Sequence, residues 1–221
     1  MSEINLKNQN FKSIPESTIP IMFKRILTLN NGNSIALRWE LDKTQNLPLK
    51  KWENLTWDQY YSKSKQFGSA LIQNNFLTKE TVSILSFNCH EWLISFMGTI
   101  FAGGQSCGLY PTDSFEQIKF KLLDSNSSVL VVENNSSCNL DYFNIENLNL
   151  KLIIILNSSQ KNINHSKVIY FDDFINIGSN NNVDLENKIE QEINNLNSND
   201  TACFVYTSGT TGNPKAVCLT H

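Results

Sequence analysis

The residues with the clearest chemistry form the run YTSGTTGNPKAV at residues 206–217. Four hydroxyl residues (Thr207, Ser208, Thr210, Thr211), two glycines (Gly209, Gly212) and Lys215 follow an apolar stretch. Glycines permit positive φ and close backbone approach. Successive amides in such turns face inward and make an anion-binding nest. The hydroxyls add donors, Lys215 adds a compact positive charge, and Pro214 stiffens the approach to it. The complementary ligand is a polyphosphate. The run is not the loop of Gly, four residues, then Gly-Lys-Ser/Thr that opens a helix. Residues 216–219 (AVCL) read as a strand, so the expected geometry is strand, loop, strand, without a helix dipole. The plain alternative is a Ser/Thr/Gly-rich surface turn. The complete run, at fixed spacing after an apolar strand, argues against it.

A sheet must position this loop. Residues 81–86 (TVSILS), 105–110, 128–133 (SVLVVE), 151–156 (KLIIIL) and 201–206 (TACFVY) read as short strands, with 168–171 as another. Residues 128–133 and 151–156 are β-branched and unalternated, as suits a sheet covered on both faces. Helix-like blocks separate them. Pro20 to Leu29 fits a first helix, and Ile35, Leu37 and Trp39 alternate as a half-buried strand. Thr56 and Gln59 form a capping box for a helix running to about Asn74. Asn88 is expected to cap a helix through Ala102, stopped by Gly103-Gly104. Asp113 or Ser114 caps one to about Leu123, and 185–196 reads as an amphipathic helix. The alternation argues for an α/β fold with a largely parallel sheet flanked by helices.

Composition narrows the classes. The 221 residues carry a net charge of −3 and no basic stripe, which argues against nucleic-acid binding. No apolar run approaches the ~18 residues of a membrane span. The five cysteines lack CxxC spacing and do not cluster with His90, His165 or His221, so zinc is not expected. Asparagine is heavily used, with 18 of its 31 occurrences between Asn134 and Asn199. Residues 134–149 and 177–187 are accordingly expected as polar loops, and residues 1–18 as a flexible N-terminus.

YTSGTTGNPKAV resembles the phosphate-binding signature of the adenylate-forming enzymes, which include acyl-CoA synthetases, luciferases and peptide-synthetase adenylation domains. Residues 86–134 and the helix at 55–72 (LTWDQYYSKSKQFGSALI) are similar to the long-chain acyl-CoA synthetases, above all the bubblegum-type group. The resemblance runs from about Leu29 to His221. It implies that residues 19–221 are a partial AMP-binding domain. It also implies ATP, Mg2+ and coenzyme A as reactants or cofactor, with a long-chain fatty acid as substrate. Thr207, Ser208, Gly209, Thr210, Thr211 and Gly212 would wrap the phosphates, with Thr207 near magnesium and Lys215 steadying phosphate charge. The implied location is cytoplasmic, peripheral to an intracellular membrane. His221 matches a family histidine but is expected to be frayed. Trp92, Phe96 and Phe101 are candidates for an acyl tunnel, with ordinary core as the plainer reading. The family has Gly where Ala216 stands, and a methyl there could crowd the loop. Family members continue for several hundred residues. No catalytic residue is assigned, and independent catalysis by these 221 residues is not expected. The competing reading is an inactive fragment that retains nucleotide or partner binding.

Overall fold

A computed structural model describes residues 16–29, 32–40, 52–133, 148–156, 163, 165–179, 183–207 and 214–221. The N-terminal segment up to residue 15 and the Asn-rich stretch 134–147 lie outside the described residues.

The chain begins with α1 (Ile19–Leu29), whose Phe23 is buried against Trp57 and Tyr60 at ring separations of 5.5 and 5.0 Å. Strand β1 (Ile35–Glu40) pairs antiparallel with β2 (Trp52–Thr56) in a separate two-stranded sheet. The sequence reading missed β2, a largely polar strand recognisable only through its partner. Thr56 then caps α2 (Trp57–Gln73) with the expected reciprocal Thr56–Gln59 capping box.

A seven-stranded sheet follows, in the order β7-β6-β5-β3-β4-β8-β9. Its strands are β3 (Thr81–Leu85), β4 (Gln105–Leu109), β5 (Ser127–Glu133), β6 (Leu152–Leu156), β7 (Val168–Tyr170), β8 (Thr201–Thr207) and β9 (Lys215–Thr220). All neighbouring pairs are parallel except β8 with β9. Strand β3 is buried at every position and β5 at all but its last residue, as unalternated sequences require when both faces are covered.

The helices lie on both faces. Helix α2, α3 (His90–Phe101), α5 (Phe171–Gly178) and α6 (Val183–Asn195) cover one face, around Phe67, Phe101, Phe174 and Ile189. Helix α4 (Phe115–Asp124) covers the other through Ile118 and Leu122, which join Leu130, Ile153, Ile155 and Tyr206. Helices α2 and α3 approach closely at Gly98, where a methyl group would stand 2.7 Å from the Ser64 carbonyl oxygen and the Phe67 Cβ.

Two expectations need correction. The N-cap of α3 is Cys89, not Asn88, and no side chain caps this helix. The segment 177–187 is only partly a loop. Ile177 and Gly178 complete α5, and Val183 to Asn187 already belong to α6, because Leu185, Ile189 and Ile193 bury a continuous apolar face. The polar composition of that helix's outer face concealed its start.

Candidate functional site

The hairpin β8–β9 brings the two described ends of the hydroxyl-rich run face to face. Thr207 pairs with Lys215, Tyr206 with Ala216 and Val205 with Val217. The Thr207 hydroxyl donates to the Lys215 carbonyl at 3.4 Å. Thr207 and Lys215 are both exposed at the open end of this stem. The two flanking segments form strands, as expected, and no helix starts at Pro214. Ser208, Gly209, Thr210, Thr211 and Gly212 lie outside the described residues. Of the proposed phosphate ligands, the structure places Thr207 and Lys215 together.

Side chains alternate along the hairpin, so the stem has two unlike faces. Tyr206 and Ala216 point towards α4. The Ala216 methyl, partly buried, thus packs against the core cluster that holds Tyr206. Val205, Val217 and Leu219 remain exposed on the opposite face.

Beside that second face runs an apolar groove of about 440 Å³. Trp92 and Phe96 line it with their rings stacked, 5.5 Å apart and 12° from parallel. Leu109, Tyr110, Phe204 and Val205 complete its walls. Val205 is two residues from Thr207, so the groove begins next to the hairpin mouth. Phe101, the third aromatic candidate, is wholly buried against Phe23 and Tyr61. Helical spacing grouped the three, but the structure separates a groove pair from a core residue.

The α4 side of the stem holds a cluster that the sequence reading missed. Tyr206 is 3% exposed, and its hydroxyl donates to the Asp124 carboxylate at 2.7 Å. Burial, reinforced by that carboxylate, pushes the Tyr206 phenol up. Lys121 is buried, pairs with Asp113, and places its ammonium 4.9 Å from the Tyr110 ring centre and 5.5 Å from that of Tyr206. Cys107 lies in the same layer, and burial lifts its thiol to about 11, so it is no thiolate nucleophile at neutral pH. A signal for Lys121 was available. It falls three residues after Ile118 and one before Leu122, on the apolar face of α4.

His221 is not frayed: its backbone N–H donates to the Asp200 carbonyl at 3.2 Å, and its Nδ1 accepts from the Ile19 N–H at 3.4 Å. Burial lowers its imidazole pKa. Among the described residues, no group of three His, Cys, Asp or Glu side chains gathers as a metal site, and no helix is long and apolar enough to cross a membrane.

Comparison with known proteins gives a consistent result. The sequence profile of the AMP-binding enzymes matches residues 30–221. The human long-chain-fatty-acid–CoA ligase ACSBG2 is 34% identical over 176 residues, which is 78% of this chain and 25% of that protein. The mouse ACSBG2 is 32% identical over 179 residues, covering 78% of this chain and 26% of the mouse protein. The chain thus spans about a quarter of the length of the curated relatives it matches. Among solved structures, the anthranilate CoA ligase AuaEII, in complex with anthranoyl-AMP, superposes with a TM-score of 0.69 at 20% identity. That match covers 93% of this chain and 35% of AuaEII, and it establishes the shared fold.

Proposed function

The chain belongs to the AMP-binding enzyme family, and from that premise we propose that it supplies the phosphate-binding hairpin of a long-chain fatty acid–CoA ligase. The observation that carries the reading is the closed β8–β9 stem, with Thr207 and Lys215 opposed at its mouth. In the proposed reaction a carboxylate oxygen of the fatty acid attacks the α-phosphorus of ATP. A new P–O bond forms, the bond to the β-phosphate breaks, and pyrophosphate leaves with its electron pair. The thiolate of coenzyme A then attacks the acyl carbonyl carbon. The C–S bond forms, and AMP departs as the C–O bond breaks.

The chain's own part is positioning and charge stabilisation, which dominate phosphoryl-type chemistry. Amides and hydroxyls of Ser208, Gly209, Thr210, Thr211 and Gly212 would donate to phosphate oxygens. Lys215 would face the charge that builds on departing pyrophosphate, where a preorganised donor lowers the barrier most. Thr207, exposed at the stem mouth, would offer its hydroxyl oxygen to an oxygen-seeking cation. Mg2+, when bound there, would offset phosphate charge. The groove beside Val205 suits an apolar tail, since each buried methylene contributes about 0.8 kcal/mol. A cytoplasmic protein making peripheral contact with an intracellular membrane would meet such a substrate.

Titration of Mg·ATP into the wild-type protein and Lys215→Ala tests this reading. Losing one charge-assisted contact of about 1.5–3 kcal/mol weakens affinity about 10- to 150-fold. Equal affinity would remove Lys215 from the site, and absence of nucleotide binding by the wild-type protein would defeat the reading.

A further inference from the structure

Strand β8 loses its sheet partner just before the phosphate loop begins. Its pairing with β4 runs Ser106–Cys203, Cys107–Phe204 and Gly108–Val205, and ends there. Tyr206 and Thr207 continue with β9 alone beside them. A two-stranded ribbon leaving a sheet is free to twist and splay, because two strands by themselves are marginal in water. Something other than the sheet must set the direction in which the loop departs.

The Tyr206 side chain does this from below. Its ring is buried in the α4-side core and its hydroxyl donates to Asp124 at 2.7 Å, with the Lys121 carbonyl at 3.3 Å as a second acceptor. Both acceptors sit in the last turn of α4. That turn is itself anchored to the middle of the sheet. The Ser125 hydroxyl donates to the Lys121 carbonyl at 2.7 Å and contacts the Ser127 hydroxyl at 2.7 Å, and Ser127 contacts Ser83 at 2.6 Å. A continuous polar path therefore links β3 and β5 to the base of the loop through otherwise apolar surroundings. Such a path is retained in a core only when its members are mutually satisfied.

We propose that Tyr206, latched to Asp124 at the end of α4, is a positioning residue that holds the β8–β9 stem at the height and twist the phosphate loop needs. It touches no substrate and acts through its neighbour Thr207. The inference rests on the phosphate-binding reading of the hairpin.

Three variants test it: Tyr206→Phe, Asp124→Ala and Asp124→Asn. Each is measured by Mg·ATP titration, by thermal melting and by hydrogen exchange of the segment 207–217 without nucleotide. Tyr206→Phe and Asp124→Ala are expected to speed exchange in that segment and to weaken ATP about 2- to 10-fold, the equivalent of one ordinary hydrogen bond. Asp124→Asn keeps an acceptor oxygen and should stay within about twofold of wild type by the same scale. A merely structural tyrosine would lower the melting temperature and leave segment exchange and ATP affinity unchanged, which would overturn the inference. The two readings fail differently. No ATP binding by the wild type removes both. Normal ATP binding by the wild type, with Tyr206→Phe indistinguishable from it, removes the latch alone.

Discussion

Replacing Lys121 by Met should be among the most damaging single changes in this protein. Lys121 is 2% exposed, and Asp113, its partner, keeps only 13% of its side chain in contact with solvent. Methionine fills nearly the same space, so no cavity opens. What remains is an Asp113 carboxylate without its cation. Breaking a buried pair by removing one member costs about 3–5 kcal/mol. Asp113 still accepts the Tyr110 N–H at 3.2 Å and retains a little water, which places the loss near the lower end, about 3 kcal/mol. The lost approach to the Tyr110 ring adds about 0.5 kcal/mol, since that ring is half exposed. Pairing the change with Asp113→Asn removes the stranded charge while keeping the acceptor for Tyr110. The double variant should then be only about 1 kcal/mol less stable than wild type, because an interacting pair departs from additivity. Urea unfolding at neutral pH, with the slope of the transition unchanged, is the assay. A loss below about 1 kcal/mol in the single variant would refute the argument. So would a double variant as unstable as the sum of its parts.

Two further outcomes concern the scaffold. Gly98→Ala brings a methyl group to 2.7 Å from the Ser64 carbonyl and the Phe67 Cβ. Overpacking of about 1–3 kcal/mol should exceed the ~1 kcal/mol gained in helix propensity, so thermal melting should fall; a rise would show that α2 and α3 part freely. At Glu190, burial alone would raise the carboxyl pKa. Hydrogen bonds and charge from Lys24 and Lys65, at 2.6 and 2.9 Å, outweigh it and hold the group below its ordinary value. The unfolded chain therefore binds the proton first, and this contribution to stability is present above the ordinary value of 4.5 and fades as pH falls towards the depressed folded value. Glu190→Gln should flatten that part of the stability–pH curve, and a curve parallel to wild type would rule the contribution out.

The parts of this fold that were legible in the sequence are those decided locally. The capping box at Thr56 closes within one turn, so residue types three apart were enough to find it; Ser114 also closes one with Gln117, where the sequence was read only for a cap at Asp113 or Ser114. Strands β5 and β6 are β-branched and buried on both faces, so their run length sufficed. The hairpin stem was legible for a similar reason, since extended sequence flanks the loop on both sides. Strand β2 was not, because its polar residues take strand geometry only against β1. The start of α3 was misplaced by one residue because no side chain caps it, leaving nothing local to read.

Lys121 shows where local reading gives out for a physical reason. A lysine on an amphipathic helix belongs in water unless its charge is matched, and its match here comes from Asp113 in the preceding loop. The rings that flank its ammonium come from Tyr110, just after β4, and from Tyr206, far along the chain. Phase alone put Lys121 on the buried face, beside Ile118 and Leu122. That phase conflicts with the cost of burying an unpaired charge, and such a conflict is itself information: it requires a partner nearby. Asp113, eight residues earlier, was read only as a rival to Ser114 for the N-cap. The structure gives Ser114 the cap and leaves the Asp113 carboxylate to Lys121. A charged residue in the wrong phase of a helix, with an opposite charge eight residues away, therefore marks a place where the helix is fastened to the segment before it, and here that place lies beside Tyr206 at the base of the β8–β9 stem.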